Sequence, residues 1–275
     1  MVYNETGLEG FNMSFEMLSD LGIKKYEMCR DDIGRFFARS VVAGLYLGLA
    51  TILSTTLGTL LFKDNLIASK IAVAGSFGIG LVIIVILGSE LFTGNCFTTM
   101  IPVYGKKLKF RQIIPMWIVC YFGNFVGIAL VCYLFFISGS NHELLSEYVV
   151  SCANTKLSFD IIELLVKAVL CNFIVCVGAY VGMKMQDDTA KTIIMMIVVM
   201  AFVLPGFEHS IANMGSFTLT IGALGSGANF GLIAIHMIVV TFGNMIGGGV
   251  LLGLPLYLMI LSLIHISEPT RLRRI

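Results

Sequence analysis

Glu208 and His209 stand side by side in PGFEHSIANMG, residues 205–215, directly after thirteen residues that carry no charge, 192–204. A carboxylate beside an imidazole can accept and pass protons near neutral pH, and in an apolar run that chemistry belongs to ion or proton passage. A charge at mid-span costs about 2.5–3.5 kcal/mol on insertion scales, so these groups must be neutral, paired or beside water. A second stretch, GSELFTGN at 88–95, carries the same frame: Gly88-x-Glu90 with Asn95 matches Gly206-x-Glu208 with Asn213, 118 residues apart. Only His209 lacks a counterpart, because Leu91 stands in its place. An asymmetric residue in a symmetric frame points to function. Glu90 and Glu208 read as structural acceptors for backbone N–H groups at breaks in the helices, in preference to direct proton relay.

Other site chemistries fail on spacing. The seven cysteines are scattered without a CxxC pair, and those within apolar runs read as small hydrophobes. The four histidines are far apart, so neither a metal site nor paired haem ligands are expected. No cofactor is expected, and no basic cluster suggests nucleic acid.

The elements that must carry these residues cross a membrane. The chain of 275 residues is 57% hydrophobic and 13% charged, about half the charge of a soluble domain, with a mean hydropathy of +0.91. Residues 1–33 hold three cations and seven acids and lack a continuous apolar core, which excludes a secretory signal. Apolar residues recur there at roughly helical spacing, which predicts an amphipathic cytoplasmic segment lying at the membrane surface. Six spans are expected over 35–62, 69–104, 112–138, 158–184, 191–215 and 230–260, with the second and fifth broken. The loop GKKLKFR at 105–111 has four cations and no acid, which places it and the N-terminus in the cytoplasm. Lys63 and Lys70, flanking a loop placed outside, run against that rule.

FGNFVG at 122–127 recurs as FGNMIG at 242–247, 120 residues apart. With the repeated breaks, this divides the chain into repeats of about 34–138 and 158–260. Three spans per repeat is an odd number, so the repeats are inverted, an arrangement that places transport sites at the midplane between broken helices. Glycines in the repeated motif allow close helix approach. Asn124 and Asn244 read as hydrogen-bonding across spans or to the broken backbone. Half-helices starting near Thr93 and Ser210 are expected to turn N-terminal N–H groups toward an anion. Glu163 and Lys167, four residues apart, read as a salt bridge on one helix face.

GSELFTGN, FGNFVG, VLCNFIVCVGAYV, GFEHSIANM and FGNMIGGG together resemble the formate/nitrite transporter family, over about residues 10–260. The resemblance implies an all-α integral membrane protein with an aquaporin-like fold, not an enzyme. It implies a homopentamer in a bacterial or archaeal cytoplasmic membrane, each protomer with a pore for a small anion: formate, nitrite, hydrosulfide, or in some members acetate or lactate. It makes His209 the central pore histidine and Thr93 its partner. It places Phe77, Leu81, Leu91, Phe92, Val175 and Phe202 at hydrophobic constrictions. It assigns Lys156 to anion attraction in the outer vestibule, and Asn172 and Asn244 to the polar lining. A water or glycerol channel would instead carry two Asn-Pro-Ala caps, absent here. Residues 261–275 begin with LSLIHISEPTR, which resembles a translated sequencing adapter and receives no function.

Overall fold

The computed structural model describes residues 5–140 and 142–259, so residues 261–275 lie outside it. Among the described residues the regular structure is entirely helical. In chain order the α-helices are α1 (Glu5–Asp31), α2 (Ile33–Phe62), α3 (Leu66–Phe77), α4 (Ile79–Ile86), α5 (Phe92–Thr98), α6 (Met100–Tyr104), α7 (Phe110–Ile137), α8 (His142–Leu157), α9 (Ile161–Lys184), α10 (Asp188–Val203), α11 (Ser210–Leu224) and α12 (Phe230–Met245). A π-helical turn, Ile246–Leu252, follows α12 around the glycines of the last repeat motif, and the span it interrupts runs Phe230–Met259.

Five of these segments are long and apolar enough to cross a membrane unaided. The sixth crossing is made by α10 and α11 in series, of 16 and 15 residues, on either side of the break at 204–209. Short polar side chains start the helices: Asp32, Asn65, Asp160, Asp187 and Asn229 each accept a backbone N–H in the first turn of α2, α3, α9, α10 and α12. At 139–157, where the sequence suggested only a loop, α8 packs on α11 and α2. Lys63 bonds Glu147 of α8 at 2.6 Å, so the 63–65 turn and α8 lie on one side.

The inverted repeat is explicit in the contacts. A Cβ on Gly127 would collide with Val41 O, and a Cβ on Gly247 would collide with Val169 O. Gly88 and Gly206 hold the same left-handed conformation, φ +67° and +75°. Beside them Ser89 N–H bonds Ile84 O and Phe207 N–H bonds Phe202 O, each at 3.0 Å. Each closes a helix end in the same way before an extended residue, Leu91 or His209.

The N-terminal helix α1 docks part of its apolar face on the protein, while Met17 stays exposed. Leu18, Ser19, Gly22 and Cys29 are buried, and Gly22 sits against Thr98 O and Pro102 beneath the α5–α6 segment.

Candidate functional site

The two breaks meet at the centre of the bundle. There Thr93 Oγ1 lies 3.0 Å from His209 Nε2, both side chains being buried. His209 also caps α11, since its Nδ1 accepts the Ala212 N–H at 3.1 Å. A neutral imidazole that accepts at Nδ1 carries its proton on Nε2, so His209 donates to Thr93. The Phe202 ring stacks on His209 with centroids 6.1 Å apart.

A chamber of about 10 Å³ adjoins His209, lined by Leu47, Phe77, Leu81, Leu91, Val175, Val199, Phe202 and His209 but not by Thr93. That is room for about one water. On the α8 side it faces a cavity of about 210 Å³ lined in part by Lys156, Phe77, Phe202, Asn213 and His209. On the α1 side it faces one of about 220 Å³ lined by Lys25, Arg39, Glu90, Asn95, Leu81, Leu91 and Val175. Five of the six expected constriction residues therefore flank the chamber. Phe92 does not: its ring packs edge-on against Trp117 and Tyr121 at 6.4 and 5.0 Å. It is the first residue of α5 and points back into α7.

Each half-helix is held by an asparagine from the third span of its own repeat. Asn124 accepts the Phe92 N–H at 2.9 Å and donates to Glu90 O and Ser40 O at 2.9 and 2.7 Å. Asn244 accepts the Ser210 N–H at 2.8 Å and donates to Glu208 O and Ala168 O at 2.9 and 2.8 Å. The first N–H of each half-helix is thus consumed by protein and not turned to an anion, against expectation. Asn172 Nδ2 is likewise engaged, with Thr93 O and Asn244 O at 3.1 and 2.7 Å. Asn172 and Asn244 brace backbone and line none of the three cavities described above.

The two carboxylates also depart from expectation: their oxygens meet cations and, for Glu208, a side-chain amide. Glu90 Oε2 accepts from Lys25 at 2.6 Å, Lys25 also reaches Asn95 Oδ1 at 2.8 Å, and Arg39 stands 3.7 Å from Glu90 Oε1. Glu208 accepts from Lys156 at both oxygens, 2.9 and 2.8 Å, and from Asn213 Nδ2 at 2.7 Å. His236 Nε2 is 3.4 Å from Glu208 Oε2. Lys156 is therefore a paired ammonium at a cavity wall and not an isolated one. Lys167 bridges Glu163 at 3.4 Å, as the spacing suggested.

Lys25, Arg39 and His236 escaped the sequence reading. Lys25 lies on an amphipathic helix with no motif around it. Arg39 corresponds to Lys167, and their carbonyls accept from Glu90 N–H and Glu208 N–H respectively, but their offset differs from that of the breaks, so one-offset self-comparison misses them. His236 has no charged counterpart.

A sequence model of the formate/nitrite transporter family matches residues 12–258. The nitrite transporter NirC of Escherichia coli (strain K12) is 34% identical over 224 residues, 80% of this chain and 81% of that one. The formate channel FocA of Haemophilus influenzae is 29% identical over 240 residues, 79% and 84% of the two chains. Among solved structures, an FNT family ion channel aligns with TM-score 0.83 at 28% identity, covering 90% of this chain and 99% of that one. A pentameric formate channel with formate bound aligns at TM-score 0.71 and 26% identity, covering 82% and 97%. With the inverted repeat and its broken helices beside them, these matches establish that the chain belongs to the formate/nitrite transporter family.

Proposed function

We propose that the chain carries a small monovalent anion, formate or nitrite foremost, across a bacterial or archaeal cytoplasmic membrane, passively or with a proton. Each protomer of a homopentamer has its own pore, with the N-terminus and α1 in the cytoplasm and α8 outside. The observation that carries this reading is His209, bonded to Thr93, at the wall of a one-water chamber between two cavities, one lined by Lys25 and Glu90 and the other by Lys156, whose ammonium pairs with Glu208.

The physics favours passage as a neutral acid. A bare carboxylate-sized ion costs of order 20 kcal/mol to bring into a low dielectric before compensation. Protonating an acid of pKa about 4 at pH 7 costs about 3 units, roughly 4 kcal/mol. Lys156 raises the local concentration of anions at the outer cavity. The Thr93 oxygen accepts from His209 and holds the imidazole at the chamber wall. Protonation comes from cavity water, or from His209 once it has itself taken a proton at Nδ1 and released the Ala212 N–H. At acidic pH a protonated His209 shifts the balance between channel-like and proton-coupled passage.

Proteoliposomes given formate, nitrite, hydrosulfide or glycerol test the reading. Formate or nitrite flux is expected, without glycerol flux. His209→Phe should abolish or redirect the formate flux, and unchanged flux with an unchanged pH profile would sink the central role of His209. Hydrosulfide is the second substrate reading, since the pore lining does not separate it from formate. Flux of hydrosulfide alone selects it, and glycerol flux alone selects a neutral-solute channel.

A further inference from the structure

Glu90 and Glu208 occupy equivalent places but differ in their second cation. Beside Lys25, Glu90 has Arg39, a permanent charge at 3.7 Å. The residue in Arg39's place in the second repeat is Lys167, and it is turned away: its Nζ bridges Glu163 and sits 4.4 Å over the Phe159 ring. Glu208 has the His236 imidazole at that distance instead, 3.4 Å from Oε2. Met116 stands where the first repeat would place a matching histidine, at the spacing that relates Asn124 to Asn244.

The hydrogen bonds around His236 define two states. Asn213 Nδ2 donates to Glu208 Oε2 at 2.7 Å and lies 3.1 Å from His236 Nε2. A neutral His236 that accepts from Asn213 at Nε2 carries its proton on Nδ1, which is buried with no hydrogen-bond partner among the described residues. With protonated His236, Nε2–H turns to the Glu208 carboxylate. Histidine is the side chain that makes this change within the physiological pH range.

We propose that His236 is a positioning residue for Lys156: protonated, it serves as a counter-charge of Glu208 and releases the Lys156 ammonium toward the anion in the α8-side cavity. Neutral His236 leaves Lys156 locked across both Glu208 oxygens. The cluster Glu208–Lys156–His236 then changes from neutral to +1, while Glu90–Lys25–Arg39 is +1 throughout. Of the elements packed on α12, α8 faces the cluster with Lys156, the break and α11 with Glu208, Asn213 and the Phe217 ring. From α9, Cys171 lies in the field of Glu208 and Lys156, and Lys167 and Glu163 pair with each other. Tyr121 of α7 bonds Thr241 on α12, and α5 brings Cys96 as its only titratable group. None of these supplies a second cation to Glu208. This inference rests on the reading that the α8-side cavity admits the anion.

The test measures formate or nitrite uptake by proteoliposomes, with pH equal on both sides, for wild type, His236→Met and His236→Arg. Wild type should show an apparent KM that rises several-fold from acid to alkaline pH. His236→Met should keep the high KM throughout and His236→Arg the low one, with maximal rates little changed. Identical KM profiles in wild type and His236→Arg overturn the proposal, and this arm stands even if His236→Met fails to assemble. If wild type carries no anion at all, the transport reading falls, and an imidazole NMR titration still decides the His236 coupling. Glu208→Gln should then move the His236 transition to lower pH, and an unmoved transition overturns the proposal.

Discussion

Asn244 satisfies three backbone groups that no helix ladder can reach: the Ser210 N–H and the carbonyls of Glu208 and Ala168. In hydrocarbon, each polar group left bare costs about 1–3 kcal/mol. Asn244→Leu should therefore lower stability by several times that amount, read as a large drop in the thermal midpoint of the detergent-solubilised protein. Asn124→Leu should do the same. At Thr93 the expected effect is on transport and not on folding. Thr93→Val keeps shape and removes the oxygen that accepts from His209. Loss of one hydrogen bond worth about 1.4 kcal/mol at the barrier should slow formate flux about tenfold, with the yield of folded protein unchanged.

The breaks were legible in the sequence because their glycine, glutamate and asparagine recur at one spacing. The structure gives the glycine its reason: Gly206 has φ +75°, where an L side chain costs about 1–2 kcal/mol. Gly206→Ala should destabilise by that order, as measured by denaturation, with Gly88→Ala close to it. The third-span glycines were equally visible, but as a motif and not as a contact. Gly127→Ala places a methyl into the Val41 carbonyl and should force α2 and α7 apart, seen as reduced assembly in size-exclusion chromatography. The direction of Phe92 was not legible. A residue one place from the extended Leu91 can face the pore or the helix behind it, and only the packing on Trp117 and Tyr121 decides. The partners of the glutamates were hidden for another reason: Lys25 and Lys156 reach them from helices outside the repeated spans, over 65 and 52 residues of sequence.

Across the molecule, two cavities of similar size, about 210 and 220 Å³, meet at a constriction of about 10 Å³. On the proposed reading, selection by size resides in the few side chains that line this constriction near His209. Leu91→Ala and Phe202→Ala should each cost about 2–5 kcal/mol of stability while raising the flux of acetate and lactate relative to formate. The paired carboxylates differ in how well they survive loss of a lysine. Lys25→Met leaves Glu90 with Arg39, whereas Lys156→Met leaves Glu208 with an imidazole alone. Breaking a buried pair costs about 3–5 kcal/mol, so Lys156→Met should approach that figure and Lys25→Met fall below it.

The chain order of these pairs bears on how the protein is made. Lys25 is synthesised 65 residues before Glu90, and Lys156 52 residues before Glu208. Each acid thus leaves the ribosome after its cation. The asparagine that ties down each half-helix arrives last, on the third span, and the backbone groups its side chain binds belong to its own repeat. The start of each half-helix can therefore be fixed within its own repeat during insertion, while the Thr93 carbonyl waits for Asn172 of the second repeat.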